Sequence, residues 1–129
     1  QQWLWAYDDG QLVFATPVTT GQPGLMTPQG TYSVLAKVAN TMFYSPWGPG
    51  SPHYYSPEHV DEALLFRAGG YFIHDAPWRQ AFGPGTNMPH HDPGGQRENG
   101  SHGCINVAPS AGAWLYGWAR LGTLVRVTA

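Results

Sequence analysis

Glycine or proline stands at 29 of the 129 positions, 17 and 12 respectively. They are spread along the chain and interrupt nearly every apolar stretch before a long helix can form. Proline removes a backbone donor and clashes inside a helix, and glycine carries the largest entropy cost of ordering. What survives between the breakers is a series of short runs rich in β-branched and aromatic residues, so the predicted fold is mostly β. No collagen-like period or monotony accompanies these breakers. Apolar residues at 42% and aromatics at 14% are enough to drive collapse. The length suits one core and is too short for two well-packed ones, so residues 1–129 are read as a single domain.

Charged residues make up only 11% and the formal net charge is -2. There is no basic footprint for nucleic acid and no run of like charge, so no nucleic-acid partner is expected. No apolar stretch is long enough to span a membrane, and no charged segment followed by an apolar one opens the chain. A single cysteine, Cys104, rules out an internal disulfide while leaving the redox compartment open. A chain beginning at Gln1 is read as a processed or excised domain whose signal or anchor, if it is exported, has been removed.

The opening stretch WLWAYDDGQLVFATPV has two β-rich runs around Asp8-Asp9-Gly10, which predicts a hairpin with strands over 2–7 and 11–18. TTGQPGLMTPQG reads as a loop, and Thr31 to Val38 as the third strand. SPWGPGSPHYYSPEH, with four prolines, is a surface loop, and Tyr71 to Asp75 is a buried strand that places His74 at its end. Residues 79–100 lack a sustained hydrophobic period and are read as a long functional loop or lid. PSAGAWLYGWARLG supports the one convincing helix, with Ser110 as N-cap, Trp114, Leu115, Trp118 and Leu121 on one face, and Gly122 closing it. TLVRV supplies the last strand. Trp3, Trp5, Trp114 and Trp118 are assigned to the core.

The commonest fate of a lone cysteine is burial as a small hydrophobe. The segment GSHGCIN around Cys104 is too small and polar for that, and it suits a thiolate that needs access and nearby backbone N–H groups. A nucleophilic cysteine also needs a base. Of six histidines, His102 shares a face with Cys104 in an extended segment, and His74 is aimed by a rigid strand end. His53, His59, His90 and His91 lie in loops and read as solvated. A cluster of His90, His91, Asp92, His102 and Cys104 matches no compact zinc spacing, so no metal or other cofactor is expected.

TPQGTY at 27–32, FIHDAPW at 72–78, SHGCINV at 101–107 and the terminal PSAGAWLYGWARLGTLVRV together resemble the catalytic domain of L,D-transpeptidases, the YkuD-like family. The His…Ser-His-Gly-Cys-hydrophobic-Asn signature is the most specific element. The resemblance implies a β-sandwich-like fold with one helix, to which this chain adds a long loop insertion, 79–100, between catalytic histidine and cysteine. It implies that Cys104 is the nucleophile, His74 its base, and the carbonyl of Asp75 the group that orients the imidazole. His102 then shapes the site, the Gly103 and Cys104 N–H groups form the oxyanion hole, and Ser101 and Asn106 brace the turn at the substrate cleft. Tyr55 and Trp78 are candidate walls for a peptide or sugar, and Arg79 and Arg97 candidate partners for substrate carboxylates. Two features depart from the family pattern. Residues 75–100 make the interval between His74 and Ser101 distinctly long, and Asp75 stands where Ser or Gly is usual. A carboxylate there either stabilises an imidazolium or points to solvent.

The function so implied is transpeptidation of bacterial peptidoglycan, outside the cytoplasm at the cell wall or in the periplasm. Cys104 attacks the diamino-acid carbonyl of a tetrapeptide stem, D-Ala leaves, and an amine of a second stem resolves the thioester to a cross-link between diamino acids. Water as acceptor would give L,D-carboxypeptidase activity, and β-lactams of the carbapenem class would acylate the same thiolate. The opposing reading is a non-catalytic wall-binding module of the same fold. Papain-like and NlpC/P60-like peptidases place the cysteine before the histidine, opposite to the order here.

Overall fold

The computed structural model describes residues 1–129. Strands β1 (Trp3–Asp8) and β2 (Gln11–Pro17) form the predicted hairpin, with Trp3 opposite Pro17 and Asp8 opposite Gln11. Asp9 and Gly10 both have positive φ, 51° and 77°. That is the requirement of the tight turn whose twist matches a right-handed ribbon, which is why Asp-Gly is found there.

The third predicted strand is instead two strands in different sheets. Strand β3 (Gly30–Ser33) pairs with the last strand, β10 (Leu124–Val127), whereas β4 (Ala36–Phe43) pairs with β5 (Glu58–Arg67). The switch falls at Val34 and Leu35. Val34 N–H still donates to Thr123 O on the β10 side, and Leu35 N–H already donates to Leu65 O in β5. Periodicity cannot reveal such a switch, because both halves are equally β-prone.

The central sheet has the order β4-β5-β6-β9, with β6 (Tyr71–Asp75) antiparallel to β5 and parallel to β9 (Ile105–Val107). Parallel neighbours cannot be joined by a tight turn and need a long crossover. The crossover contains a small hairpin, β7 (His90–His91) with β8 (Arg97–Glu98), and the helix α1 (Pro109–Trp118) follows β9. Ala6 of β1, Val18, Val34, Leu64 and Phe66 of β5, Ile73 of β6, Ile105 and Val107 of β9, and Ala111, Leu115 and Ala119 share one apolar core. The two ribbons and the central sheet thus close on a common interior, giving a mostly β, sandwich-like fold with one helix.

Three expectations change. The helix begins at Pro109 with Ala108 as an N-cap lacking any side-chain bond, so Ser110 lies inside the first turn and does not cap it. Proline there loses nothing, since the first helical N–H groups have no partner within the helix. The helix ends at Trp118 with Ala119 as its C-cap, Leu121 is exposed, and Gly122, at φ 89°, instead forms the turn into β10. Trp3 and Trp5 are not core residues. They are 42% and 46% exposed, because a two-stranded ribbon turns only one face inward and that face is taken by Leu4 and Ala6. Trp114 does pack on the core, stacking on Phe14 at 4.3 Å and Trp118 at 5.4 Å.

Candidate active site

In the β6–β9 ladder His74 stands opposite Asn106, and the preceding pair is Ile73 with Ile105. Side chains alternate along a strand, so His74, Asn106 and Cys104, one residue before β9, project on one face. Two distant segments of sequence are brought together by three residue pairs of parallel strand. The Cys104 thiol lies against the backbone of the neighbouring chain, donating to Gly70 O at 3.4 Å and accepting from Phe72 N–H at 3.5 Å.

His74 is buried, and its Nδ1 lies 2.7 Å from Asp75 O. A carbonyl can only accept, so Nδ1 carries the proton and Nε2 holds the lone pair. The Nε2 accepts from Asn106 Nδ2 at 3.2 Å. Asn106 Oδ1 in turn accepts from Arg79 Nε at 2.8 Å, and Arg79 Nη1 donates to Asn99 O at 2.8 Å. Phe43 packs against the imidazole edge-on at 4.9 Å and Trp78 lies 6.0 Å from it. Burial lowers the His74 pKa to about 4, with the Asp75 carbonyl and carboxylate opposing and the Arg79 charge adding to the drop. Burial likewise raises Cys104 to about 11; the Phe72 N–H works against the rise and Glu58 adds to it. At neutral pH the site is a neutral thiol beside a neutral imidazole.

The turn carrying the cysteine is held from within and from behind. Ser101 Oγ accepts from Gly103 N–H at 3.1 Å and donates to Cys104 O. Gly103 has φ 126°, and a Cβ there would meet a ring carbon of Tyr71 at 2.8 Å, so only glycine fits. Thr27 Oγ1 donates to Gly103 O at 2.8 Å and accepts from Gly21 N–H at 3.0 Å. Ser101 N–H donates to Thr20 O, and Gln22 N–H to Ser101 O. The Gly- and Pro-rich segment 19–29 is therefore a backing wall of the site.

These residues line a cavity of about 460 Å³. The sequence-derived candidates Cys104, His74, His102, Tyr55, Trp78, Arg79, Arg97, Ser101 and Asn106 all border it. Their roles shift in four places. Gly103 N–H is already spent on Ser101 Oγ, so of the two expected oxyanion donors only Cys104 N–H is unengaged by the turn. Ser101 and Asn106 bond to the protein's own atoms, leaving them to shape the turn and the base. Arg79 is a pin between Asn106 and Asn99, whereas Arg97 on β8 is exposed at the rim. Asp75 does not point to solvent; its charge favours the His74 imidazolium from a buried position, and its hydrogen bonds go to β5. Its carboxylate is 1% exposed and accepts from Asp61 N–H at 3.0 and 3.1 Å and from Glu62 N–H at 2.9 Å. A regular strand sends successive N–H groups to opposite edges, so their convergence on one carboxylate goes with the break in the β4–β5 ladder at Asn40 and Asp61, where Asn40 has φ 50°.

His102 is half-buried between Trp47 at 5.5 Å and Tyr55 at 4.8 Å, and burial, with His53 and Arg79, lowers its pKa. It props the proline-rich loop 45–57 against the site. The crossover is pinned: Gly83 N–H donates to Val18 O and Thr86 Oγ1 lies 2.7 Å from Thr19 Oγ1. Its β7–β8 half supplies Pro89, Arg97, Glu98 and Asn99 to the rim. No three His, Cys, Asp or Glu side chains form a group able to hold a metal ion.

Sequence reasoning missed Phe43, Thr27 as the anchor of Gly103, and Glu58. Glu58, at the start of β5 and opposite Phe43, lines the same cavity as Cys104. Nothing local in SPEHVDE marks it, because its place depends on β5 running beyond the end of β6.

Over residues 1–127 the sequence matches the L,D-transpeptidase catalytic domain, YkuD. The chain belongs to that family. It is 31% identical over 122 residues to L,D-transpeptidase 2 of Mycobacterium tuberculosis, covering 92% of this chain and 27% of that protein. It is 30% identical over 115 residues to probable L,D-transpeptidase 3 of the same species, covering 86% of this chain and 37% of that protein. Among solved structures, the avibactam carbamoyl enzyme of Ldtfm superposes with a TM-score of 0.80 at 28% identity, over 99% of this chain and 45% of that one. L,D-transpeptidase 3 of M. tuberculosis with a faropenem-derived adduct gives a TM-score of 0.80 at 26% identity, over 100% and 57%. This L,D-transpeptidase catalytic domain thus spans less than half the length of the curated relatives it matches.

Proposed function

We propose that this domain cross-links peptidoglycan stem peptides, with Cys104 as nucleophile and His74 as base. The observation that supports it most is the placing of Cys104 and His74 on one face of the β6–β9 ladder, at one cavity, with the imidazole tautomer set by Asp75 O. That tautomer leaves Nε2 as the proton acceptor once Asn106 Nδ2 gives way. His74 takes the thiol proton, and the thiolate attacks the diamino-acid carbonyl of a tetrapeptide donor. Cys104 N–H is the available donor for the oxyanion. His74 returns the proton to the leaving D-Ala, and the thioester passes to an amine of a second stem. With resting values near 11 and 4, proton transfer is uphill until substrate excludes water and settles the developing charges.

The substrate lies outside the cytoplasmic membrane, so the working place is the cell wall or periplasm. A relative has been captured with a faropenem-derived adduct, which supports β-lactams as covalent inhibitors here. Intact-mass measurement after incubation with a carbapenem tests the nucleophile: one adduct on the wild type and none on Cys104→Ala is expected. Wild-type protein that stays unmodified, and releases no D-Ala from a tetrapeptide stem, would instead favour a non-catalytic wall-binding module. Product masses with two stems present separate cross-linking from trimming by water.

A further inference from the structure

Glu58 is half-buried at the catalytic cavity and forms no ion pair or hydrogen bond through its side chain. The nearest countercharge, Arg79, has its Nε and Nη1 engaged by Asn106 and Asn99 and is not within ion-pair distance. The stretch of β5 held by the Asp75 carboxylate, Asp61 and Glu62, lies between Glu58 and Ala63, which stands opposite His74. A carboxylate in this place works against the first half of the reaction, since its charge raises the Cys104 pKa. Once the sulfur is a neutral thioester, that objection disappears. The one cationic group that must then approach the sulfur is the ammonium of the acceptor.

Resting on the transpeptidase reading, we propose that Glu58 receives the acceptor ammonium and removes its proton before attack on the Cys104 thioester. The carboxylate takes one proton from R–NH3+, giving a free amine and a carboxylic acid. The amine lone pair forms the new C–N bond as the C–S bond breaks. The second nitrogen proton passes through His74 to the departing Cys104 thiolate, restoring the thiol, and Glu58 loses its proton to water. Burial lifts the Glu58 carboxyl to about 7, with the Arg79 charge opposing, which suits a group that must exchange a proton at neutral pH.

The test measures how one acyl-enzyme divides between amine and water. Acyl-enzyme formed from a tetrapeptide donor is offered meso-diaminopimelate, an ammonium at neutral pH, or hydroxylamine, already a free base, and products are counted by mass. In Glu58→Gln the diaminopimelate-to-water ratio should fall by about tenfold or more while the hydroxylamine-to-water ratio holds. Unchanged ratios for both, or a parallel fall in both, would overturn the proposal. Should Glu58→Gln form no acyl-enzyme, Glu58→Asp serves, with a selective loss toward diaminopimelate expected and a parallel loss counting against. Failure of the wild type to form any acyl-enzyme would overturn the transpeptidase reading itself, and this inference with it.

Discussion

Asn106 donates its side-chain amide to His74 Nε2, the atom that accepts the thiol proton in the proposed mechanism, while Arg79 holds the other end of that amide. The imidazole is thus kept in register by a relay whose far end lies on the crossover. Arg79 acts as a positioning residue, and its charge also lowers the His74 pKa. Replacing it with methionine removes both effects. The acid limb of the carbapenem acylation rate should move to higher pH in Arg79→Met, and the rate should fall by about tenfold as Asn106 loses its orientation. A limb that stays in place would show that Arg79 does no more than pack.

His74 predicts how stability responds to acid. Its folded value of about 4 lies below the ordinary 6.5 of a free histidine, so the unfolded chain binds more protons in that window. Stability contributed by the neutral imidazole is therefore present above 6.5 and is lost as pH falls toward 4, by about 3 kcal/mol in all. Glu58, whose value is raised, works in the opposite sense, losing stability as pH rises from about 4.5 to about 7. Urea unfolding of wild type and His74→Gln across this range isolates the histidine: the difference between the two should shrink on acidification. A constant difference would refute the assignment.

Asp75→Asn should cost about 3 kcal/mol. The carboxylate accepts three bonds from two backbone N–H groups in a fully buried place, and an amide presents one acceptor and turns an NH2 toward a donor. Denaturant unfolding at neutral pH is the measurement, and a loss below about 1 kcal/mol would mean that water reaches the Asp61 and Glu62 N–H groups.

Thr27→Val keeps the shape and removes the hydroxyl that joins Gly21 N–H to Gly103 O. Two buried backbone groups lose their partner, which should destabilise by about 2 kcal/mol and slow acylation, because the cysteine turn loses its rear anchor. Thr27→Ser should restore most of both. A Ser variant no better than Val would point to the methyl group, not the hydroxyl, as the working part.

What could be read along the chain was whatever local chemistry decides. The Asp-Gly turn of the first hairpin is dictated by positive φ at Asp9 and Gly10, and both strands fall within a residue of their expected bounds. The helix was visible from Trp114 and Leu115, though proline at its first position, not Ser110, begins it. Strand Thr31 to Val38 was misjudged because the change of partner at Val34 is made by Thr123 and Leu65, residues distant in sequence. The outward-facing Trp3 and Trp5 were misjudged for a related reason: aromatic content says nothing about which face of a ribbon is covered.

The sequence by itself determined the family, the hairpin, the helix and the segment bearing Cys104, since turn chemistry and a short contiguous motif act over a few residues. Only the tertiary structure decided how His74 meets Cys104. Parallel pairing of β6 with β9 puts them on one face and demands a crossover between them, which the residues following β6 supply. It also decided that the buried Asp75 carboxylate holds β5, and that Glu58 lines the same cavity as the thiol. Those contacts arise from strand register across the sheet, and register is set by the packed core as a whole.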